Sequence, residues 1–154
     1  MAENYNTRDK GSEMRSGRSM DMGPDPYVTD VDRMAVLNKD FRNALWTGEH
    51  LQMTLMTIPP GGEIGMENHP DTDQFIRVEQ GRGIASMGKD RNMDDLRQYV
   101  RIGDVVFVPA GTWHNVVNTE NFPLRLSAVY GPPHHPRGTV HETKAEADME
   151  GHDH

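Results

Sequence analysis

The chain has 154 residues, no cysteine and a formal net charge of −8 with histidine neutral. A domain of that length buries a real core without covalent staples, and the missing thiols exclude disulfides, cysteine–zinc sites, iron–sulfur clusters and thiol nucleophiles. The acidic balance argues against nucleic acid or an anionic membrane as partner, and no apolar run reaches the roughly 18–20 residues that span a bilayer.

In chain order, residues 1–26 are rich in Ser, Gly, Asp, Asn and Arg and poor in apolar side chains, which predicts a disordered N-terminal tail. The start is polar, with no apolar stretch of the kind a secretory signal carries, so the expected location is cytoplasmic. Residues 34–40 read as a short helix or turn. Strands are predicted at residues 41–46 and 51–58, the second closed by Pro59-Pro60-Gly61-Gly62. Residues 63–68 and 74–79 are expected to pair with each other. A turn at residues 81–83 leads to a strand at 83–88 and a charged insert, 89–97, expected as an exposed loop. Further strands follow at 98–102, 104–108, 114–118 and 124–130. Short strands with closely spaced turn signals indicate an all-β sandwich or barrel. Residues 27–142 form the expected domain. Residues 143–154 form a polar C-terminal tail with helical turns at 144–150, and His152 and His154 belong to that tail.

Metal-type side chains gather where these strands meet turns. Glu67 and His69 are two apart and share a strand face. Gln74 opens the returning strand on the face of Ile76 and Val78, which is inward; an inward polar group without a partner costs about 1–3 kcal/mol. His114 comes from a separate hairpin, aimed by Pro109-Ala110-Gly111, and shares a face with Val116 and Asn118. Trp113 has the opposite parity and is expected to pack outside. Glu67, His69, Gln74 and His114 are therefore the candidate ligands of one divalent metal ion, with open positions for water or substrate.

The spacing of these residues resembles the cupin superfamily. Gly103, Pro109, Gly111, His114 and Asn118 match its second motif in full. The first motif departs twice: counting back from Gly81 puts Gln74 where cupins usually carry Glu, and Glu67 where they carry the first of two His, with His69 as the second. Leu45-Trp46-Thr47-Gly48, the Glu67-x-His69-Pro70 run, and Pro132-Pro133-His134-His135-Pro136 leading to Gly138-Thr139-Val140-His141 resemble small single-domain bacterial cupins described as mannose-6-phosphate isomerase-like. The resemblance implies a single-domain jelly-roll β-barrel, commonly a homodimer, with the metal inside.

Two imidazoles, one carboxylate and one amide make an oxygen-richer site than the usual three-His-one-Glu set, which adds manganese and iron to zinc and nickel as candidate ions. Type I phosphomannose isomerases, themselves cupins, use the same inventory with Glu and Gln exchanged. That resemblance implies a small-molecule enzyme using the metal as a Lewis acid, sugar isomerase-like. Two other readings stand beside it: an iron-dependent dioxygenase, since two His and one carboxylate hold iron with open positions, and a non-catalytic metal-dependent small-ligand binding protein. Glu63 shares the parity of Glu67 and is the candidate base, its alternative being an exposed loop carboxylate. No phosphate-binding Gly-rich loop or Arg/Lys cluster supports a phosphosugar. His134, His135 and His141 are expected on a strap across the barrel mouth or at a dimer contact, the alternative being an exposed tail.

Overall fold

The computed structural model describes residues 17–151. Strands β1 (Arg42–Thr47), β2 (Gln52–Ile58), β3 (Asp73–Gln80), β6 (Val105–Val108), β8 (Leu124–Gly131) and β9 (Val140–His141) form one sheet in the order β6-β3-β8-β2-β1-β9. Strands β4 (Arg82–Gly88), β5 (Leu96–Arg101) and β7 (Trp113–Asn118) form a second, in the order β5-β4-β7. The pairings within both sheets are antiparallel. This is the all-β jelly-roll barrel expected from the sequence.

The period-two pattern explains which side chains fill it. Met56 and Ile58 on β2, Ile76 and Val78 on β3, Val106 and Val108 on β6, Val116 on β7, and Leu124, Leu126, Ala128 and Tyr130 on β8 form one buried core. Each such side chain contributes about 1.5–3 kcal/mol by leaving water. On β6 the alternate residues face outward, and Phe107 is 71% exposed.

The interior is not uniform along the barrel. Gln52 stands opposite Tyr130, and Tyr130 opposite Gln74, so β2, β8 and β3 place a polar row at one end. At the other end Ile58 faces Leu124. Apolar burial there holds the sheets together while the polar row is left for chemistry.

Helix α1 (Val31–Leu37) packs on the outer face of the larger sheet, where Met34 and Ala35 meet Leu45 and Leu55 in a separate cluster. Asp30 caps it, its side chain accepting from Arg33 N at 3.2 Å. The helix thus begins three residues before the predicted stretch and ends before Asn38. Helix α2 (Lys144–Gly151) follows β9. Among the described residues no helix is long and apolar enough to cross a membrane.

Three expectations are corrected. Residues 63–68 do not pair with β3: they bridge to β7, at Glu63 opposite Val117 and Glu67 opposite His114. Gly65 has φ +100°, a value a β-strand does not carry, and its N–H donates to Asn115 Oδ1 at 2.9 Å instead of to a neighbouring backbone. The charged insert is shorter than expected, because β5 already starts at Leu96. Of the expected disordered tail, residues 1–16 lie outside the described residues, while residues 17–26 are packed on the barrel. Met22 N donates to Leu45 O at 3.0 Å, Trp46 Nε1 to Asp25 O at 2.7 Å and Arg137 Nε to Gly23 O at 2.5 Å. His152 and His154 also lie outside the described residues.

Candidate metal centre

Two chain segments build the polar end. Gly111, with φ +79°, makes the turn before β7, and its N–H donates to His69 O at 3.0 Å. Glu67 and His114 then form a backbone bridge, so their side chains emerge as neighbours. One ligand-type atom from each of Glu67, His69 and His114 lies within 4.8 Å of the other two. His69 and His114 are 5% and 1% exposed.

His114 Nδ1 lies 3.0 Å from Thr112 O. A carbonyl only accepts, so Nδ1 carries the proton and Nε2 presents its lone pair. That Nε2 is buried without a hydrogen-bond partner, as are His69 Nε2 and Gln74 Oε1. His69 Nε2 does lie 2.9 Å from Glu67 Oε2, but the two are not aligned as donor and acceptor. Each orphaned atom costs about 1–3 kcal/mol. A divalent cation would accept the lone pairs of the two imidazoles beside the Glu67 carboxylate, so this donor set fits a metal of the kind the sequence implied.

The charges are tuned to match. Burial opposes ionisation of Glu67, but His69 beside it and the Arg42 guanidinium outweigh that, holding the carboxyl far below the usual carboxylate range. Burial lowers His114, with the Thr112 carbonyl acting the other way. Both residues are thus in the deprotonated form a metal needs.

A cavity of about 540 Å³ opens from this centre, its wall including Glu63, Glu67, His69, His134, His135 and Lys144. Residues 131–141 form one side, as the strap reading expected. Gln52, fully buried, fastens that segment. Its Oε1 accepts from His134 N at 3.2 Å and His135 N at 3.0 Å, and its Nε2 donates to His135 O at 2.8 Å. The His134 ring lies 3.9 Å from that of His69, centroid to centroid. Burial first, then Arg42 and His134, push His135 down to about 2. Trp113 sits outside the cavity with the Arg91 guanidinium 5.0 Å above its ring.

Gln74 shares the inward row with Tyr130 and is 7% exposed, so it lies at the same end as the triad. Asn118, the last residue of the second motif, is a loop clamp at the far end of β7. Its Nδ2 is 2.8 Å from Phe122 O and 3.1 Å from Pro59 O. Sequence reasoning missed Arg42 and Gln52. Both sit in strands with no motif around them, and only parity with inward neighbours could have flagged them.

Comparison with known proteins agrees with this fold. Residues 54–130 match the family described as Cupin domain. The chain is 50% identical over 144 residues to the uncharacterized protein YrkC of Bacillus subtilis, covering 90% of this chain and 77% of that one. The crystal structure of BH2720 from Bacillus halodurans superposes with a TM-score of 0.83 at 51% identity, covering 84% of this chain and 98% of that chain. A shorter match, 31% identical over 75 residues, is to an oxalate-binding protein of Thermotoga maritima, covering 48% of this chain and 56% of that one.

Proposed function

The chain belongs to the cupin family, and from that premise we propose that it binds one divalent metal through Glu67, His69, Gln74 and His114 and uses it as a Lewis acid on a small oxygen-rich molecule. The observation that carries this is the set of three buried ligand atoms without a hydrogen-bond partner, His69 Nε2, His114 Nε2 and Gln74 Oε1. Such a concentration of unsatisfied groups is retained where something outside the chain satisfies them.

When bound, the metal supplies polarisation of a carbonyl or hydroxyl oxygen. The chain's own residues shape the rest. The cavity size falls within the usual range for small-ligand pockets, about 300–1,000 Å³. Glu63 stands in its wall, with Asp148 and Glu150, as a carboxylate for a substrate proton, which an isomerase-like reaction needs. The match to an oxalate-binding protein supports a ligand with adjacent oxygens, such as a hydroxycarbonyl compound or a small acid. A homodimer, as the resemblance implies, completes the reading.

Elemental analysis of protein purified without added metal is expected to find about one divalent ion per chain. Metal-free protein with a native fold, unable to take up manganese, iron or zinc, would sink the proposal. A second reading is favoured by one observation: Glu67, His69 and His114 are two imidazoles and one carboxylate within 4.8 Å, the donor set of non-haem iron oxygenases. Oxygen uptake by the iron-loaded protein during a substrate screen separates the two. A metal-loaded protein that binds ligands and turns over none is instead a binding module.

A further inference from the structure

Arg42 stands between the metal centre and the C-terminal helix. It lies on β1, where its cross-strand partners are Met56 on β2 and His141 on β9. Its side chain is only 5% exposed. Nη2 donates to Glu67 Oε1 at 3.2 Å, and Nη1 lies 3.2 Å from His141 Nδ1. A guanidinium has donors only and keeps its charge, so His141 Nδ1 must accept. The imidazole proton is then on Nε2, which donates to Glu150 Oε2 on α2 at 2.6 Å. A continuous chain of hydrogen bonds therefore runs from Glu150 through His141 and Arg42 to Glu67, charged at three of its four members.

The two oxygens of Glu67 consequently have different partners. Oε1 is held by Arg42, whereas Oε2 lies 2.9 Å from His69 Nε2. We infer that Arg42 is a positioning residue that restricts Glu67 to ligating the metal through Oε2 alone, and that His141 and Glu150 hold Arg42 in the place where it does so. This rests on the metal reading above and adds a role for residues outside the ligand set. A carboxylate binds a divalent ion through one oxygen or both. The two-oxygen mode fills a further coordination position, and the one-oxygen mode leaves that position to a ligand entering the cavity. The capacity of the centre to take a ligand is thus set by a residue of the cavity wall that does not itself ligate the metal.

The test uses the full chain loaded with cobalt(II), whose visible absorption reports coordination number, and azide as a small probe ligand. Arg42→Met keeps the apolar stem and removes both donors. The expected result is that cobalt is retained, its visible bands lose intensity as Glu67 takes the extra position, and azide affinity falls about 10- to 100-fold, the range for loss of an outer-shell partner. Arg42→Lys keeps the charge but cannot reach both Glu67 and His141, and shifts both readouts the same way. Glu150→Ala removes a side chain that is 46% exposed on α2, so it leaves the core alone. It gives a smaller change in the same direction, and decides the matter if neither Arg42 variant folds. Wild-type protein that takes up no cobalt overturns the metal reading itself. Wild-type protein that binds cobalt, with spectrum and azide affinity unchanged in every folded variant, overturns the role of Arg42 alone.

Discussion

Glu67 and His114 exchange both backbone hydrogen bonds, Glu67 N to His114 O and His114 N to Glu67 O, each at 2.9 Å. They are 47 residues apart in sequence, 114 minus 67, yet their side chains leave the backbone from a closed pair. The bridge needs no metal, so the centre is preorganised by the fold.

His114→Ala is expected to abolish metal binding while the barrel stays folded. The backbone bridge survives, and removing a partnerless nitrogen offsets part of the cavity left behind. With metal stripped from both proteins by a chelator, urea unfolding should show a loss below about 3 kcal/mol. Elemental analysis should show metal in the wild type only. An unfolded variant would mean that the imidazole is a structural keystone.

Gln74→Glu should move two quantities in opposite directions. A second carboxylate adds a negative ligand, so chelator competition should report tighter metal binding, at least about tenfold, or 1.4 kcal/mol. Without metal, that carboxylate is buried at the end of the barrel that holds Glu67, and the stripped protein should be less stable than the wild type by about 1–3 kcal/mol. Unchanged metal affinity would remove Gln74 from the ligand set.

Gln52→Leu should loosen the strap. The substitution deletes two acceptor contacts to the backbone of His134 and His135, one donor contact to His135 O, and the 3.0 Å contact to Thr47 Oγ1. A loss of about 2–4 kcal/mol is expected. Hydrogen exchange at the His134 and His135 amides should accelerate more than exchange in β2. If the two accelerate equally, Gln52 is a general core residue and not a fastening for this segment.

Stability of the metal-free protein should fall on acidification. His114 and His135 are both pushed below the ordinary value of 6.5, His135 to about 2. A histidine held neutral in the folded state takes its proton first in the unfolded chain. The unfolded state therefore binds more protons once pH drops under 6.5, and stability rises with pH across that window. Their contribution is complete above it and is lost as pH falls toward the folded-state values. The slope is at most about 1.4 kcal/mol per pH unit for each residue. Urea midpoints between about pH 7.5 and about pH 5 should show it, and His135→Phe should flatten it. A midpoint independent of pH would contradict the burial assigned to these rings.

Parity made much of the barrel legible. Ile76 and Val78 announced the inward face of β3, and Gln74 came with them; Val116 did the same for His114. Partner choice was not legible. Residues 63–68 alternate like a strand, but whether they meet β3 or β7 depends on the conformation at Gly65 and on Asn115 Oδ1, 50 residues away. The start of α1 was missed because its cap, Asp30, precedes the apolar pattern that draws the eye. The packed course of residues 17–26 carried little apolar signal beyond Met20 and Met22, since hydrogen bonds to Leu45, Trp46 and Arg137 hold much of it. Arg42 looks like a surface arginine until the fold brings Glu67 and His141 to it across 25 and 99 residues.

The division of the barrel interior into a polar row at Gln52, Tyr130 and Gln74 and an apolar end at Ile58 and Leu124 makes the molecule separable by mutation. Substitutions at opposite ends share no partner, so their effects on stability should add. Candidate ligand residues can then be exchanged one at a time while the hydrocarbon end keeps the chain folded. A protein arranged this way can change what it does in single steps, each of them surviving as a folded intermediate.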